Sequence, residues 1–187
     1  MLAEELYYRA GGLVAVSPIL VPDLMLHVDA VRSTELERVR GRAAAILAAH
    51  PIDARDLLIV ASNSGGNAVT AELALAARSA GTPVVAVTSL RHATSAAARQ
   101  SELPRLHEIA DVVLDNGGAV GDAAVEIAGF GRRVAPTSTV VGAALLNAVA
   151  AEAVERLVAR GIRPDVYSSA NVEGGDAANA AFNGGAR

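Results

Sequence analysis

The 187-residue sequence contains no cysteine, no tryptophan and no lysine, so all 16 of its basic residues are arginine. The absence of cysteine excludes disulfide bonds, thiolate nucleophiles and zinc sites with cysteine ligands. Without lysine the chain cannot form a Schiff base, anchor pyridoxal phosphate or build a lysine-containing phosphate loop. General acid–base chemistry must therefore be carried out by Asp, Glu, His or Tyr side chains.

The charge balance disfavours a nucleic-acid-binding role. Charged residues make up 19% of the chain, the formal net charge is −4, and the basic residues form no run. A protein that binds a nucleic-acid backbone needs a concentrated basic patch, which this composition does not supply. No apolar run reaches the length of a membrane span, and the amino terminus lacks a signal segment. We therefore expect a cytoplasmic protein without a nucleic-acid or membrane partner.

Predicted strands and helices alternate along the chain, which favours a single α/β domain over residues 1–187. This alternation predicts a three-layer α-β-α sandwich with a mostly parallel, flavodoxin-like sheet. Residues 167–187 are mostly small and polar, and we expect them to form a partly flexible tail. Apolar runs predict strands at residues 12–21, 56–61, 83–88 and 111–114, and a hairpin at residues 123–136.

Polar residues and glycines mark the ends of the predicted helices. The helices and their N-caps are residues 3–10, residues 33–50 with Ser33 or Thr34, residues 68–80, and residues 138–161 with Ser138 or Thr139. Glu35 is interpreted as a capping residue of the second helix, although it could also act as a base. The last helix is apolar on all sides over residues 140–151 except at Asn147. Such a helix is buried on most sides, either in a core or in a subunit interface.

The loop "SNSGGN", residues 62–67, follows a predicted strand and precedes a predicted helix. Ser62 and Ser64 supply hydroxyl groups, and the two glycines allow the backbone to approach a ligand closely. The helix directs its N-terminal amides and the positive end of its dipole towards the loop. This combination favours binding of a phosphate group without any cationic side chain. The alternative is an ordinary strand-to-helix turn, which prefers the same small polar residues.

These residues lead to a family resemblance. The loop "SNSGGN" after an apolar strand resembles the signature of the sugar-isomerase (SIS) domain family. Five segments occur in family order and extend the resemblance over nearly the whole chain. It is greatest to a phosphoheptose-isomerase-like branch of that family. The segments are "NSGGNAV", "TSLRH", "DNGGAVGDAAVE", "PTSTVVGAALLNA" and "SANVEGGD".

The resemblance implies a phosphosugar site at the carboxyl edge of the sheet and a homodimer or larger homo-oligomer. Asn67 stands where many members have threonine, which alters the hydrogen-bond geometry. The family also begins with a strand and a glycine-serine loop, whereas this chain starts at the following helix. We therefore expect the natural protein to begin upstream of Met1. The expected substrate-binding residues are Ser62, Asn63, Ser64, Gly65, Asn67, Asp115, Asn116, Ser138 and Thr139.

Three residues are candidates for the proton transfers that a sugar isomerase needs. His92 follows a predicted strand in "TSLRH" and is either a catalytic group or an exposed loop histidine. His27 lies among apolar residues in "LMLHVDA", and the resemblance implies that this segment comes near the sugar. Glu173 in "NVEGGD" is an unexpected charge in a segment of small residues, although a solvated tail would tolerate it.

The resulting prediction is a sugar-phosphate isomerase of the SIS type. The alternative is a phosphosugar sensor that acts through a protein partner, because SIS domains serve both roles. A dinucleotide-binding domain is disfavoured, since the chain lacks the G-x-G-x-x-G turn. No residue spacing favours a metal site, and we expect no cofactor.

Overall fold

The computed structural model describes residues 1–98 and 101–182 of the protein. The predicted α/β class with a parallel sheet is confirmed. In the described part of the chain the helices are α1 (Leu2–Leu6), α2 (Ala30–Leu36), α3 (Arg42–Ala49), α4 (Ala68–Ser79), α5 (Leu90–Ala93), α6 (Leu106–Ile109), α7 (Ser138–Ala159) and α8 (Gly175–Asn179). The strands are β1 (Leu58–Ala61), β2 (Val84–Thr88), β3 (Val112–Asp115), β4 (Ala123–Glu126) and β5 (Arg133–Pro136), and a 3₁₀ turn spans Pro22–Leu24.

A three-stranded parallel sheet in the order β1-β2-β3 forms the framework of the fold. Leu58 of β1 lies opposite Val84 of β2, and Val85 lies opposite Val112 of β3. The three strands agree with the predicted apolar runs to within one or two residues. Because parallel strands all end at the same edge of a sheet, the loops after β1, β2 and β3 come together there.

Helix α4 packs against β1 and β2 through small side chains. Ala71, Ala74 and Ala77 are all fully buried, at relative exposures of 0%. Their spacing of three residues places them on one face of the helix. Since an alanine side chain is only a methyl group, this face lets the helix lie close to the sheet.

The predicted hairpin is also confirmed. β4 and β5 pair in antiparallel fashion, with Val125 opposite Val134 and Glu126 opposite Arg133. Helix α7 follows directly and extends over 22 residues, within the predicted range.

Two predictions for the first 21 residues are wrong. Residues 12–21 form no strand, and the only pairing described there is an isolated bridge from Leu13 to Val166. Pro18 cannot donate a hydrogen bond, which weakens any strand in this segment. Helix α1 ends at Leu6 instead of residue 10, and Tyr7 has an extended backbone.

The predicted helix over residues 33–50 is divided into α2 and α3. Asp29, and not Ser33 or Thr34, is the N-cap of α2, and its carboxylate accepts an amide hydrogen bond of 2.9 Å. Ser33 is buried inside the helix. Gly41 precedes α3 with a positive φ of 83°, a conformation that interrupts a helix.

The chain divides into two compact units, Met1–Ile19 with Ala143–Arg187 and Leu20–Gly142. The second unit contains both sheets. In the first, Tyr167 makes edge-to-face contacts with Tyr8 and Phe182, and the buried Asn179 hydrogen-bonds to the backbone of Ser168 at 2.8 and 2.9 Å. The segment expected to be flexible therefore contains defined contacts as far as Phe182, and its last five residues lie outside the described range. A single domain over residues 1–187 stays a prediction.

Most of the surface of helix α7 is exposed in the single chain. Val140 is 72% exposed and Val149 is 44% exposed, whereas Leu146 is buried. The prediction that α7 is buried on most sides in a core of the chain, one of the two alternatives, is therefore wrong. The other alternative, a subunit interface, stays a prediction. In the described part of the chain no helix, including α7, is long and apolar enough to cross a bilayer.

Candidate functional site

Direct hydrogen bonds link the three loops at the carboxyl edge of the parallel sheet. The Asn116 side-chain amide after β3 donates to the side-chain oxygen of Asn63 after β1, at 3.0 Å. The Thr88 hydroxyl at the end of β2 donates to the backbone oxygen of Asn63 at 3.1 Å. The Ser89 hydroxyl, which is fully buried, donates to the backbone oxygen of Gly118 at 2.7 Å. The three loops therefore form one connected surface.

The loop "SNSGGN" has one hydroxyl that is free to bind a ligand. The Ser62 hydroxyl accepts a hydrogen bond from the Gly65 amide at 3.2 Å, which closes the turn. Gly65 has a φ of +62° and accepts a hydrogen bond from the Leu106 amide at 2.9 Å. The half-buried Ser64 side chain makes no hydrogen bond within the described residues. Ser62 and Gly65 therefore shape the loop, and Ser64 is available to a ligand.

The N-terminus of α4 adds backbone donors to this loop. Asn67 is its N-cap residue, but its side chain does not cap the helix. The amides of Ala68 and Thr70 have no acceptor in the described part of the chain, whereas the Val69 amide donates to the backbone oxygen of Glu37 at 3.1 Å. Free amides at the positive end of a 12-residue helix attract an anion. Together with Ser64 they form an uncharged anion-binding surface.

Glu37 is a residue that the sequence prediction missed. Its side chain is half-buried, and this burial raises the pKa of the Glu37 carboxyl above its usual value. The charge of Arg38 and a hydrogen bond with the Asn67 side chain oppose that rise. Glu35, the residue considered instead, is exposed in the last turn of α2, so its predicted capping role is wrong. The sequence gives no signal that distinguishes Glu37, because its burial depends on the packing of α4.

His92 has a fixed position at the same edge of the sheet. Its backbone amide donates to the Ser89 hydroxyl at 3.0 Å, which caps helix α5. Its Nδ1 atom accepts a hydrogen bond from the Gly121 amide at 3.1 Å. A neutral imidazole that accepts at Nδ1 carries its proton on Nε2. The half-buried ring can therefore offer an N–H group at Nε2 to a ligand.

Asp115 and Asn116 hold the turn after β3. One Asp115 oxygen accepts hydrogen bonds from the amides of Leu90 and Gly117, both at 3.0 Å. Asn116 is buried, and its side-chain oxygen accepts a hydrogen bond from the Gly118 amide at 2.9 Å. Both ends of the Asn116 side chain thus have partners within the protein. Asp115 is exposed at the loop surface, and its sugar-binding role stays a prediction.

Asp122 occupies the N-terminus of helix α7, a role that the sequence prediction did not foresee. Its carboxylate accepts hydrogen bonds from the amides of Thr137 and Ser138 at 3.1 and 2.8 Å. The Ser138 hydroxyl donates to the same carboxylate at 2.6 Å. Burial raises the pKa of Asp122, but these hydrogen bonds outweigh it and hold the pKa below its usual value. The Ser138 hydroxyl is therefore engaged within the protein, whereas Thr139 is exposed.

The other two predicted proton-transfer residues lie on the surface. His27 is exposed after the 3₁₀ turn, and its side chain has no hydrogen bond among the described residues. Glu173 is exposed in the unit that contains α8.

In the same unit, the Asn147 side chain of α7 donates to the Glu5 carboxylate at 3.4 Å, a pair that the sequence did not predict. Within residues 1–98 and 101–182, no group of three or more acidic or histidine side chains is placed to hold a metal ion.

Comparisons with known proteins agree with the predicted family. A family model described as the SIS domain matches residues 1–89. The chain is 42% identical over 179 residues to a UPF0309 protein of Halalkalibacterium halodurans, a match that covers 96% of this chain and 74% of the relative. A UPF0309 protein of Geobacillus thermodenitrificans is 44% identical over 179 residues, with 96% and 72% covered. A UPF0309 protein of Listeria monocytogenes is 44% identical over 182 residues, with 97% and 74% covered.

Proposed function

The chain belongs to the UPF0309 family, whose members contain a SIS domain, and we propose that it binds a sugar phosphate and catalyses its aldose–ketose isomerisation. The observation that carries the proposal is that the Ser64 hydroxyl of the loop and the Ala68 and Thr70 amides at the start of α4 have no hydrogen-bond partner among the described residues. These donors lie where three parallel strands end, which is the usual ligand position in sheets of this kind.

Phosphate binding at this loop needs no cationic side chain. Each free N–H or O–H group can donate to a phosphate oxygen, and the dipole of α4 stabilises the negative charge. A hydrogen bond to a charged group contributes about 1.5–3 kcal/mol, so a few such donors account for useful affinity. The loop after β3 borders the same surface through the Asn63–Asn116 hydrogen bond and is proposed to contact the sugar.

Isomerisation requires a group that moves a proton between two adjacent carbons, and we assign this role to His92. The hydrogen bond from Gly121 fixes the ring at the edge of the sheet but occupies the Nδ1 lone pair, so the imidazole accepts and returns a proton only when that hydrogen bond is released. His27 and Glu173 are the alternatives among the predicted residues. They become the candidates if replacement of His92 leaves turnover unchanged.

We also propose that the protein is a homodimer or a larger homo-oligomer. Val140 and Val149 expose aliphatic side chains on the longest helix, which is apolar over most of its length. Residues nine apart on an α-helix lie on opposite sides of it, so both sides of α7 expose aliphatic groups, and such exposure supports burial of the helix in an interface between subunits.

Ser64→Ala tests the phosphate-binding part of the proposal. Inorganic phosphate and a panel of hexose, heptose and amino-sugar phosphates are screened by thermal shift, where a ligand at a hundred times its dissociation constant stabilises by about 2.7 kcal/mol. The variant should bind about ten- to a hundredfold more weakly, because it loses one hydrogen bond to a charged group. Ser79→Ala is the matched control, since Ser79 lies at the other end of α4 and donates only to the Leu75 backbone oxygen, at 2.9 Å. Equal affinities of all three proteins would exclude this loop from the site.

A turnover assay distinguishes the proposed isomerase from a sensor that binds the sugar phosphate without converting it. Each bound sugar phosphate is incubated in D₂O, and proton NMR follows both conversion and deuterium incorporation next to the carbonyl group. An isomerase exchanges that proton through an enediol intermediate. We expect exchange with the wild-type protein and its loss in His92→Gln, with binding retained. Binding without any exchange would support the sensor instead.

A further inference from the structure

Two consecutive hydrogen bonds form a relay from the turn after β3 to the loop "SNSGGN". The Gly118 backbone amide donates to the Asn116 side-chain oxygen at 2.9 Å. The Asn116 side-chain nitrogen donates in turn to the side-chain oxygen of Asn63 at 3.0 Å. Asn116 is buried and Asn63 is half-buried, so the relay is largely shielded from solvent. All three residues lie in the same compact unit, Leu20–Gly142.

The first donor of this relay determines how both side chains are oriented. The two ends of an asparagine amide have nearly the same shape, and the hydrogen bonds distinguish the oxygen from the nitrogen. A backbone amide can only donate, so the end of Asn116 that faces Gly118 must be the oxygen. The other end of Asn116 is then a donating nitrogen, and the end of Asn63 that faces it must be the oxygen. The relay therefore directs the Asn63 nitrogen away from Asn116.

The space around the relay is restricted as well. A Cβ atom at position 118 would lie 2.9 Å from the Asn116 side-chain oxygen and 3.5 Å from the Asn63 side-chain oxygen. The first of these distances is shorter than a side-chain carbon normally allows, so the Asn116 amide would have to shift. Glycine at this position therefore lets the two amides stay where the relay places them.

The backbone of Asn63 is held at the same edge of the sheet. Its backbone oxygen accepts hydrogen bonds from the Thr88 hydroxyl at 3.1 Å and from the Ser89 amide at 3.2 Å. Its side-chain nitrogen has no acceptor among the described residues. Asn63 consequently offers two N–H donors where the three parallel strands end. Because the amide is already fixed, it loses little rotamer entropy when a ligand binds.

We propose that Asn116 is a positioning residue of the ligand site, which holds the Asn63 amide so that its nitrogen donates to an oxygen of the bound sugar phosphate. The inference rests on the proposed function, because it places Asn63 in the same site as the Ser64 hydroxyl. An amide N–H group can only donate, so the ligand atom at this position is an acceptor oxygen of the phosphate or of the carbonyl group. Asn116 acts through Asn63 and does not itself contact the ligand.

Two replacements of Asn116 disturb the relay in different ways. In Asn116→Ala the Asn63 amide loses its partner and can rotate, which should lower affinity about threefold to tenfold. In Asn116→Asp the ionised carboxylate still accepts from Gly118 but can no longer donate to Asn63. Asn63 must then turn its nitrogen towards the carboxylate and its oxygen towards the ligand. Affinity should therefore fall about ten- to a hundredfold, as in Asn63→Ala.

A double-mutant cycle separates positioning from a direct effect of the added charge. Calorimetry measures the binding of inorganic phosphate, fructose 6-phosphate and sorbitol 6-phosphate to the wild type and to each variant. Once Asn63 is alanine, Asn116→Asp should have almost no further effect. Ser79→Asp, which adds the same charge at the other end of α4, should bind like the wild type. An equal loss from Asn116→Asp with either residue at position 63 would overturn the positioning role.

The three ligands distinguish the two acceptor oxygens. Asn63→Ala should weaken the binding of all three if its nitrogen donates to the phosphate group. It should weaken only fructose 6-phosphate if the nitrogen donates to the carbonyl oxygen, since the other two ligands have no carbonyl group. Wild-type affinity of Asn63→Ala for every ligand would overturn the proposal.

A further measurement does not depend on ligand binding. The side-chain NH₂ signals of Asn63 in a ¹H–¹⁵N spectrum are identified by their loss in Asn63→Ala. They should move in Asn116→Asp and in Gly118→Ala, and they should stay in place in Ser79→Asp. Unchanged Asn63 signals would overturn the positioning role while leaving the proposed function intact. If the wild-type protein binds none of the three ligands and no member of the sugar-phosphate panel, the proposed function fails, and the ligand role of the relay fails with it.

Discussion

Replacing Asp122 tests whether one carboxylate stabilises the start of helix α7. Asp122→Asn keeps a residue that tolerates the left-handed φ of 69° but removes the negative charge. Asp122→Ala also removes the acceptors for Thr137 and Ser138 and places a less tolerant residue at that φ. Loss of a capping side chain costs about 0.5–2 kcal/mol, and the charge at a helix N-terminus contributes about 0.3–1 kcal/mol. An alanine in the left-handed region adds about 1 kcal/mol.

These contributions set the expected size of the effect. The free energy of unfolding at pH 7 should fall by about 1 kcal/mol in Asp122→Asn and by about 2–3 kcal/mol in Asp122→Ala. For a chain of this length 1 kcal/mol corresponds to about 2–4 °C in Tm, so calorimetry resolves both variants. Glu126→Gln is the control, because Glu126 lies in the hairpin that follows Asp122 and is 78% exposed in an ion pair of 3.8 Å with Arg133. Such a pair contributes at most about 1 kcal/mol, and often nothing that can be measured.

The pH dependence gives a second criterion. The hydrogen bonds from Ser138 and Thr137 outweigh the effect of burial and hold the pKa of Asp122 below its usual value in the folded protein. A carboxyl group of this kind stabilises the fold above its unfolded pKa, and the stabilisation is lost as the pH falls through its folded pKa. The stability difference between wild type and Asp122→Asn should therefore be complete at pH 7 and decrease below about pH 4. A difference that stays constant down to pH 2, or that equals the effect of Glu126→Gln at pH 7, would refute the reasoning.

Three further predictions follow from other parts of the structure. Gly65→Ala should lower the free energy of unfolding by about 2–3 kcal/mol in urea titrations, because φ is +62° and the new Cβ would lie 3.0 Å from the Leu106 Cβ atom; wild-type stability would contradict this. Asn116→Ala should cost about 1–3 kcal/mol in the same assay, since it leaves the buried Gly118 amide without its acceptor; no loss would show that water replaces the side chain. Val140→Asp, at a position 72% exposed in the single chain, should dissociate the proposed oligomer in sedimentation experiments at tens of micromolar, whereas a monomeric wild type would exclude the oligomer.

The local sequence pattern was sufficient to predict the parallel sheet and the hairpin. The runs that became β2 and β3 are short and apolar and are bounded by turn residues, so strand formation depends on little else. The meeting of three loops at one sheet edge followed from the parallel direction of the strands. The loop "SNSGGN" could be identified because its small polar residues stand between a strand and a helix. Family resemblance then identified the chain as a SIS-domain protein, which the comparisons confirmed.

Other local predictions failed where contacts distant in sequence decide the structure. Serine is a residue type that often caps helices, but Ser33 lies inside α2 and its hydroxyl donates to the Leu24 backbone oxygen at 2.8 Å. The predicted helix is interrupted between Leu36 and Arg42, where the Gly41 amide donates to the carboxylate of Glu72, 31 residues away. Residues 12–21 are apolar enough for a strand, but only Leu13 has a bridging partner there. Hydrophobic periodicity carries no information about such partners.

The sequence by itself determined which hydroxyl groups could bind a phosphate at an uncharged loop. The tertiary structure decided which of these groups already have a partner among the described residues. Ser62, Ser64 and Ser138 are equivalent hydroxyl donors in the sequence. In the folded chain Ser62 accepts from Gly65 and Ser138 donates to Asp122, so the Ser64 hydroxyl alone among the three has no partner within the described residues. The physical reason is that every buried polar group must find a partner, and the nearest partner depends on which segments pack together. Packing of residues 37–41 against α4 places the Glu37 backbone oxygen on the Val69 amide, a partner 32 residues away that no local pattern specifies.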